Sequence, residues 1–347
     1  MTIISNRART GPRPTIRDVA REAGVSIGTV SAVINDRGHV ARDTRRHVLR
    51  CIADLGFEPN NAARSLKRGR ISSIGFIVPD LKNPFFAAIA EGIQSAIGND
   101  DILLMLCITG SSTEREEYYA RTLRTQRLDG VIYLSGTGLP SPSLLELARA
   151  GAVVFVDEPL AGIDTPFVGC NNLSGARLIA RQVIACGHRR IAIIGGPPRL
   201  WTSEQRLAGF RESLAAAGLN PDAMPIMPGD YGERSGYEAA AKLLSVPRQE
   251  RPSAILCAND LMAIGVMRYC REKNISIPGE LSISGFDDIA GSELLLPALS
   301  TVAQPSHEMG HAAAELLLQR IGVRNEAPTP TNFPVSLKWR DSVATIA

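Results

Sequence analysis

The stretch Thr15-Ile-Arg-Asp-Val-Ala-Arg-Glu-Ala-Gly-Val-Ser-Ile-Gly-Thr-Val-Ser-Ala-Val-Ile-Asn35 decides the fold of the amino-terminal region. Its apolar residues recur at helical spacing on both sides of Gly24-Val25, which predicts two short amphipathic helices joined by a tight turn. The residues expected to face inward are Ile16, Val19, Ala20, Ala23, Val30, Val33 and Ile34. Ser26 is placed to cap the second helix. The pattern is typical of a helix-turn-helix, whose second helix enters the major groove of DNA.

Charge favours DNA binding over the alternative, an ordinary helical hairpin. Residues 1–70 hold 14 Lys and Arg against 6 Asp and Glu, whereas the other 277 residues hold 24 against 29. A module that binds phosphates needs such a local excess of cations. The outer face of the second helix, together with the start of the first, supplies the predicted DNA contacts, which are Thr15, Ser26, Ile27, Gly28, Thr29, Ser31, Ala32 and Asn35.

A third amphipathic helix is predicted from Arg42 to Leu55, with Val48, Ile52 and Leu55 facing inward. It completes a small three-helix core. The polar, arginine-bearing segment 1–14 that precedes the helices lacks a hydrophobic stretch, so a disordered tail is predicted there rather than a signal peptide.

Several short motifs follow one another in this region, namely Asp18-Val-Ala, Ala23-Gly-Val-Ser, Thr29-Val-Ser, Val33-Ile-Asn35, Thr44-Arg and Gly56-Phe-Glu-Pro-Asn60. In that order they resemble the lactose-repressor (LacI/GalR) family of bacterial transcription regulators. Ala62-Ala-Arg-Ser-Leu-Lys67 is similar to the hinge helix of that family, which folds on operator DNA and pairs with its dimer mate. The resemblance implies that Leu66 wedges into a minor-groove step while Arg64 and Lys67 hold the flanking phosphates. Without the resemblance, Leu66 would be assigned to core packing.

The resemblance does not predict the operator sequence. The positions that read bases in relatives correspond to Ile27, Gly28 and Ala32, which have no hydrogen-bonding side chains. Bidentate recognition of guanine or adenine from these positions is therefore excluded.

Length and composition indicate a larger assembly than one DNA-binding module. The chain has 347 residues, of which 44% are hydrophobic and 21% charged, which is sufficient for two or three domains with a large core. It contains no apolar run of eighteen residues, so we predict a cytoplasmic protein without membrane contact. The six cysteines show no CxxC pairing, which favours reduced, buried thiols over disulfides or a zinc site.

From residue 71 the pattern changes to apolar runs that alternate with helical stretches. The expected strands are Ile74–Pro79, Ile102–Ile108, Gly130–Leu134 and Val153–Asp157 in one set, and Arg190–Gly195, Ala254–Ala258, Leu281–Gly285 and Thr301–Ala303 in another. Runs that are buried on both faces predict parallel sheets covered by helices, and two sets predict two lobes. The predicted fold class is therefore α/β, with a helix-turn-helix domain and hinge helix joined to a two-lobed domain like that of periplasmic binding proteins.

Ligands of parallel sheets bind beyond the carboxyl ends of the strands, so the cleft between the lobes is the predicted effector site. Polar and aromatic residues follow the strands there, and they resemble the ligand-contacting positions of periplasmic pentose-binding receptors. They are Asn83, Phe85, Phe86, Asp157, Arg206, Asn259, Asp287 and Gln304. Rings stack on the CH faces of a sugar, while amides, carboxylates and a guanidinium bond its hydroxyls.

Some of these residues have other interpretations. Phe85 and Phe86 could be core residues, and Asp157 or Asp287 could cap a helix. Asp260 is predicted to cap the helix that follows it. The resemblance implies three further effector contacts, Trp201, Thr202 and Tyr231, because loops at these positions face the cleft in relatives, although the residues there vary with the ligand.

Catalysis is not indicated. The chain has neither the GxGxxG nor the GxxxxGK[ST] motif of nucleotide-binding proteins. Its histidines are not accompanied by the other residues of a zinc-protease motif or a catalytic triad. No enzyme activity, cofactor or metal site is therefore predicted. His307 and His311 have a spacing that could hold a metal, but they lack a third ligand and are assigned to a solvated helix face.

Two classes of function remain, an effector-controlled transcription regulator and a sugar receptor for transport. The basic helix-turn-helix favours the regulator. We expect a homodimer, with a tetramer as the alternative assembly, that binds double-stranded operator DNA and is released by a sugar. A purine is the alternative effector, as in one branch of the family. The predicted divisions are the tail 1–14, the DNA-binding domain 15–58, the hinge 59–70 and the effector and dimerisation domain 71–347.

Overall fold

The computed structural model describes residues 14–34, 40–57, 73–98, 102–126, 128–325 and 327–346. The chain divides into two compact units, residues 1–70 and 71–347. The helices of the first unit are α1 (Ile16–Glu22), α2 (Ile27–Ile34) and α3 (Arg42–Leu55). Of the predicted tail, only Pro14 is described. The predicted hinge, with Arg64, Leu66 and Lys67, lies outside the described residues, and so does Asn35.

The first unit packs its three helices around a small apolar core. Val19, Val30 and Val48 are fully buried at its centre, as the spacing predicts. Gly24 has φ +62°, a left-handed conformation that side chains disfavour, and it therefore allows the tight turn between α1 and α2. The predicted cap of α2 is confirmed, because the Ser26 hydroxyl oxygen accepts a hydrogen bond from the Thr29 N–H at 3.0 Å.

The second unit alternates strands with helices. Its helices are α4 (Pro84–Ile97), α5 (Thr113–Thr125), α6 (Pro142–Arg149), α7 (Asn172–Ala185), α8 (Trp201–Ala216), α9 (Glu233–Leu243), α10 (Asp260–Glu272) and α11 (Ser306–Arg320). Its strands are β1 (Ser73–Val78), β2 (Leu103–Ile108), β3 (Gly130–Tyr133), β4 (Val153–Val156), β5 (Phe167–Cys170), β6 (Ile191–Ile194), β7 (Ile226–Met227), β8 (Ala254–Cys257), β9 (Ser282–Ser284), β10 (Thr301–Ala303), β11 (Asn332–Phe333) and β12 (Ser336–Lys338).

The first lobe is built on a parallel sheet with strand order β11-β5-β4-β3-β1-β2. Helices α4 and α11 cover one face, where Ile89 and Leu317 are buried. Helices α5 and α6 cover the other face through Leu123 and Leu144. Both faces are therefore shielded, which explains the uninterrupted apolar runs of the central strands.

The second lobe is built on a smaller parallel sheet with order β7-β6-β8-β9, covered by α7, α8, α9 and α10. The two predicted sheets are thus confirmed, with one correction. Thr301–Ala303 is not a regular member of the second parallel set, since it pairs antiparallel with Ser336–Lys338. Its only parallel link in the described chain is the isolated bridge of Ala303 to Asp287, and Ser300, just before the strand, makes a similar bridge to Ser284. The reason is connectivity: β10 leads into α11 of the first lobe, and β12 runs beside it in the opposite direction.

Two further features follow from composition. All six cysteines are unpaired and buried, as predicted. Among the described residues, no helix combines the length and apolar character needed to cross a bilayer.

Candidate functional site

The predicted DNA-binding face is accessible wherever the structure describes it. Thr15, Ser26, Ile27 and Gly28 are exposed, and Thr29, Ser31 and Ala32 are half-buried. Ile27 leaves 46% of its surface exposed, so its side chain is accessible to a partner. Its aliphatic side chain is suited to contact a thymine methyl group.

Arg206 is the centre of the predicted effector cleft. It lies in the second turn of α8 and is 3% exposed. Its Nε donates to the Asn172 side-chain oxygen at 2.8 Å, and its Nη1 donates to the Ala258 carbonyl at 2.7 Å and to Asp287 Oδ1 at 3.1 Å. The guanidinium stacks 4.0 Å from the centre of the Phe286 ring. Arginine carries five N–H donors, so two remain on Nη2 for a ligand.

Asp287 and Gln304 complete a chain of buried hydrogen bonds beside Arg206. The Gln304 amide nitrogen donates to Asp287 Oδ1 at 2.7 Å, and the Cys170 thiol donates to the Gln304 side-chain oxygen at 2.8 Å. Burial raises the pKa of the Asp287 carboxyl, although the neighbouring guanidinium opposes this effect. Since Asp287 bonds these side chains, and the 3₁₀ helix that follows starts from Gly291, the alternative of a helix cap does not fit.

Asp157 places an unsatisfied acceptor in the same region. It follows β4 directly and has φ +63°. Its Oδ1 atom is buried and has no hydrogen-bond partner among the described residues. Burial raises the pKa of this carboxyl to about 6, and Arg206 acts in the opposite direction. A buried acceptor without a donor is costly, which makes Asp157 a candidate ligand contact.

Tyr231 and Asn259 form the side of the cleft contributed by the second lobe. The Asn259 amide nitrogen donates to the Tyr231 carbonyl at 2.9 Å, while its side-chain oxygen accepts the Met262 N–H at 3.0 Å. Tyr231 adopts φ +66°, and Arg206 lies 5.5 Å from the centre of its ring. The Asn259 side chain is therefore engaged in holding the cleft wall.

Three predicted contacts lie apart from this cluster. The Asn83 side chain caps α4 by accepting the Phe85 N–H at 3.1 Å. Phe85 is 4% exposed in the core of the first lobe, which agrees with its alternative interpretation, and its ring meets Phe86 edge-on at 5.7 Å. Within the described chain, no hydrogen bond or ring contact joins these residues to Arg206. Phe86, half-buried, is the more accessible ring.

Two local predictions are corrected. Asp260 does not cap α10; Asn259 does, and the buried Asp260 carboxylate instead accepts hydrogen bonds from the Ile289 N–H and the hydroxyls of Ser292 and Thr301. Sequence could not distinguish adjacent Asn and Asp, since both are good caps.

Trp201 and Thr202 do not lie in a loop either, because they form the first turn of α8. The residue before them, Leu200, provides no side-chain cap. The missing acceptor comes from Glu158 of the first lobe, which accepts hydrogen bonds from the N–H groups of Trp201 and Thr202 and, at 2.8 Å, from the Thr202 hydroxyl.

Sequence reasoning missed three residues of the cleft. Asn172 and Cys170 surround the predicted side chains, and Glu158 joins the lobes. Burial and the charge of Asp157 raise the pKa of the Glu158 carboxyl to about 8. Its one signal in the sequence is its position after Asp157, as the second acid at a strand end.

Comparisons with known proteins cover almost the whole chain. Residues 15–60 match the family described as "Bacterial regulatory proteins, lacI family", and residues 180–343 match "Periplasmic binding protein-like domain". The chain is 34% identical over 333 residues to the HTH-type transcriptional repressor PurR of Proteus mirabilis, covering 95% of this chain and 97% of the relative.

Solved structures agree with these matches. The lac repressor dimer bound to operator and the anti-inducer ONPF has a TM-score of 0.78 and 28% identity, covering 96% of this chain and 100% of that chain. The complex of the transcriptional regulator CelR with cellobiose has a TM-score of 0.68 and 32% identity, covering 95% of this chain and 100% of that chain.

Proposed function

The chain belongs to the lacI family of bacterial regulatory proteins and is a DNA-binding transcriptional repressor, and on that premise we propose that a small neutral carbohydrate bound in the cleft releases it from its operator. The observation that carries this proposal is the unsatisfied Oδ1 atom of Asp157 beside the buried pair of Arg206 and Asp287. A hydroxyl group both donates and accepts, so one hydroxyl can satisfy the carboxylate while another accepts from Nη2 of the guanidinium.

Backbone strain supports a binding role for the same region. Asp157, Tyr231 and Asp287 adopt φ values of 63°, 66° and 122°, which non-glycine residues rarely do. Strain of this kind is found where a site requires a defined side-chain direction. All three residues are among the predicted effector contacts.

The charge of the cleft favours a neutral effector. Asp157, Glu158 and Asp287 are buried there, and Arg206 forms an ion pair with Asp287 and lies close enough to Asp157 to lower its pKa. An anion such as a sugar phosphate would add negative charge to a group of carboxyls that already share one guanidinium. The likeness to a regulator in complex with cellobiose is consistent with an uncharged sugar.

A purine is the second candidate. Trp201 and Tyr231 supply ring surfaces on which a base could stack, and the chain is 34% identical to a repressor named PurR. The alternating donors and acceptors of Arg206, Asp287 and Gln304 fit a polyol better, because each can bond a separate hydroxyl.

The proposed mechanism is an equilibrium shared by ligand and DNA. A homodimer brings its two hinge segments together and presents two helix-turn-helix motifs, so that it can bind both half-sites of an operator. A single helix-turn-helix binds only one half-site. A ligand that changes the closure of the lobes shifts the hinge attachment and so changes operator affinity. We propose that the cleft binds its ligand without transforming it, and that the protein acts in the cytoplasm, where its DNA target is.

Calorimetry with pentoses, hexoses, disaccharides, their phosphates and the purine bases tests the effector. A neutral sugar is expected to bind wild-type protein and to lower the fluorescence anisotropy of a selected operator duplex, and Asp157→Asn is expected to weaken that binding about tenfold, as loss of one charge-assisted hydrogen bond predicts. Binding of a purine alone would replace the carbohydrate by the second candidate.

A further inference from the structure

Glu158 makes a hydrogen-bonded connection between the two lobes. It lies in the segment between β4 and β5 of the first lobe and is 2% exposed. Its partners, the N–H groups of Trp201 and Thr202 and the Thr202 hydroxyl, all belong to the first turn of α8 in the second lobe. Both carboxyl oxygens are used, so the contact fixes direction as well as distance.

The contact replaces a missing local cap. The first N–H groups of a helix have no partner within the helix and need an acceptor. Leu200 precedes α8 and offers no side-chain oxygen. Without Glu158, the first turn of a 16-residue helix would have to take its acceptors from solvent in a region that is largely buried.

We propose that Glu158 is a positioning residue for effector binding, a carboxyl group of the first lobe that holds the first turn of α8 and thereby aligns Trp201, Thr202 and Arg206 with the cleft. It acts through α8 and not by touching the ligand. The proposal rests on the proposed function only for the identity of the ligand, since the contact itself exists without one.

Neighbouring contacts concentrate lobe–lobe packing at the same place. The Trp201 ring meets Phe167 of β5 edge-on, with 5.8 Å between ring centres. A Cβ at Gly138, in the loop after β3, would lie 2.3 Å from the Arg199 carbonyl oxygen, so the backbones approach closely there. The Thr202 hydroxyl also lies 3.3 Å from the Tyr231 hydroxyl, which extends the connection to the cleft wall.

Fluorescence of Trp201 tests the connection without any ligand. The chain has two tryptophans, so Trp339→Phe leaves Trp201 as the sole emitter. In that background, and above pH 8 where the Glu158 carboxyl is ionised, Glu158→Gln replaces one acceptor oxygen by an N–H donor that faces other donors. The acrylamide quenching constant of Trp201 is expected to rise at least twofold.

Glu117→Gln is the matched control. The Glu117 carboxylate accepts the Ser143 N–H at 3.0 Å and the Ser143 hydroxyl at 2.6 Å, the same kind of contact at the start of α6, but within the first lobe. It should leave the quenching of Trp201 unchanged. Equal quenching in Glu158→Gln and the parent, or an equal rise in both glutamine variants, overturns the proposal.

Thr202→Val provides an independent approach from the other side of the contact, in case Glu158→Gln folds poorly. It removes the hydroxyl donor while keeping the shape of the side chain, and it should raise the quenching constant by a smaller factor. In the Glu158→Gln background it should add little, because both changes remove the same interaction. Full additivity would contradict a shared connection.

Titration with D-ribose and cellobiose then separates the two proposals. If either sugar binds the wild-type protein, Glu158→Gln should weaken its binding at least fivefold, whereas Glu117→Gln should not; unchanged affinity overturns the positioning role. If neither sugar binds, the carbohydrate proposal loses its support from these probes, and the quenching experiment still decides the lobe connection.

Discussion

The DNA-binding helices and the cleft use their polar side chains in opposite ways. Ser26 bonds to Thr29, three residues away, and both remain at the surface. Arg206 and Asp287 are separated by 81 positions in sequence and are almost completely buried. The first arrangement follows from local sequence and keeps these polar side chains at a surface that a large polar partner can reach. The second depends on the assembled lobes, so a change at the site affects the stability of the fold as well as binding.

Removal of Arg206 should have the largest effect of this kind. Arg206→Ala leaves Asp287 buried without its partner, and breaking a buried pair in this way costs about 3–5 kcal/mol of unfolding free energy. Urea unfolding followed by Trp201 fluorescence measures the loss. Arg234→Ala is the control, since the Arg234–Glu238 pair is exposed and screened by solvent, and its loss should leave the urea midpoint nearly unchanged. A loss below 1 kcal/mol for Arg206→Ala would contradict the buried pair.

The pH dependence of stability should also come from the cleft. The pKa of Glu158 is raised to about 8 in the folded chain from an ordinary value of 4.5, so its contribution is greatest below 4.5 and is lost as pH rises through 8. Burial lowers the pKa of His188 below its ordinary value of 6.5, so the contribution of His188 to stability is lost as the pH falls, which is the opposite of the Glu158 effect. The effect of Glu158 is therefore measured above pH 6.5. From there to pH 8.5 the contribution of Glu158 to the unfolding free energy should fall by up to about 2 kcal/mol. The pKa of Asp287 is also raised to about 8 by burial, so its titration adds a fall of the same sign that remains in Glu158→Gln.

Glu158→Gln checks the assignment of this effect. The glutamine cannot ionise, so urea unfolding of this variant should show a flatter profile between pH 6.5 and 8.5 than the wild type. Glu117→Gln should keep the wild-type slope. An unchanged slope in Glu158→Gln would assign the titration to another group.

On the DNA side, Leu66→Ala should weaken specific operator binding about tenfold, or about 1.4 kcal/mol, without altering the stability of the cleft. The expectation follows from the position of Leu66 in the segment similar to the family's hinge helix, where an apolar side chain kinks the minor groove. Anisotropy and a circular-permutation bending assay measure affinity and bend. Unchanged bending would show that the wedge is another residue.

The smallest effect is expected at Ser26. Ser26→Ala removes the capping acceptor of α2 and should lower the stability of the helical unit by about 1 kcal/mol, while the second unit is unaffected. Hydrogen exchange of the Thr29 amide reports the loss directly. Ser26→Asn retains an acceptor and should retain most of the protection; equal exchange in both variants would mean that the cap contributes nothing.

The sequence by itself determined the elements whose signals are local. Helix α3 begins and ends where its apolar period predicts, at Arg42 and Leu55, because one face of the helix must enter a core. The central strands were recognised because burial on both faces leaves continuous apolar runs. Strands β5, β7, β11 and β12 were missed; β7, β11 and β12 contain no buried residue and therefore lack the apolar run that marked the central strands.

Only the tertiary structure decided how the cleft is assembled. It places Arg206 between Asn172 and Asp287, and it separates Phe85, which is buried in the core of the first lobe, from the polar cluster. It also gives Glu158 a role, because the cap that α8 lacks locally comes from the other lobe. Hydrogen bonds between residues far apart in sequence depend on the packing of whole sheets and helices, and that packing is not encoded in the spacing of any one segment.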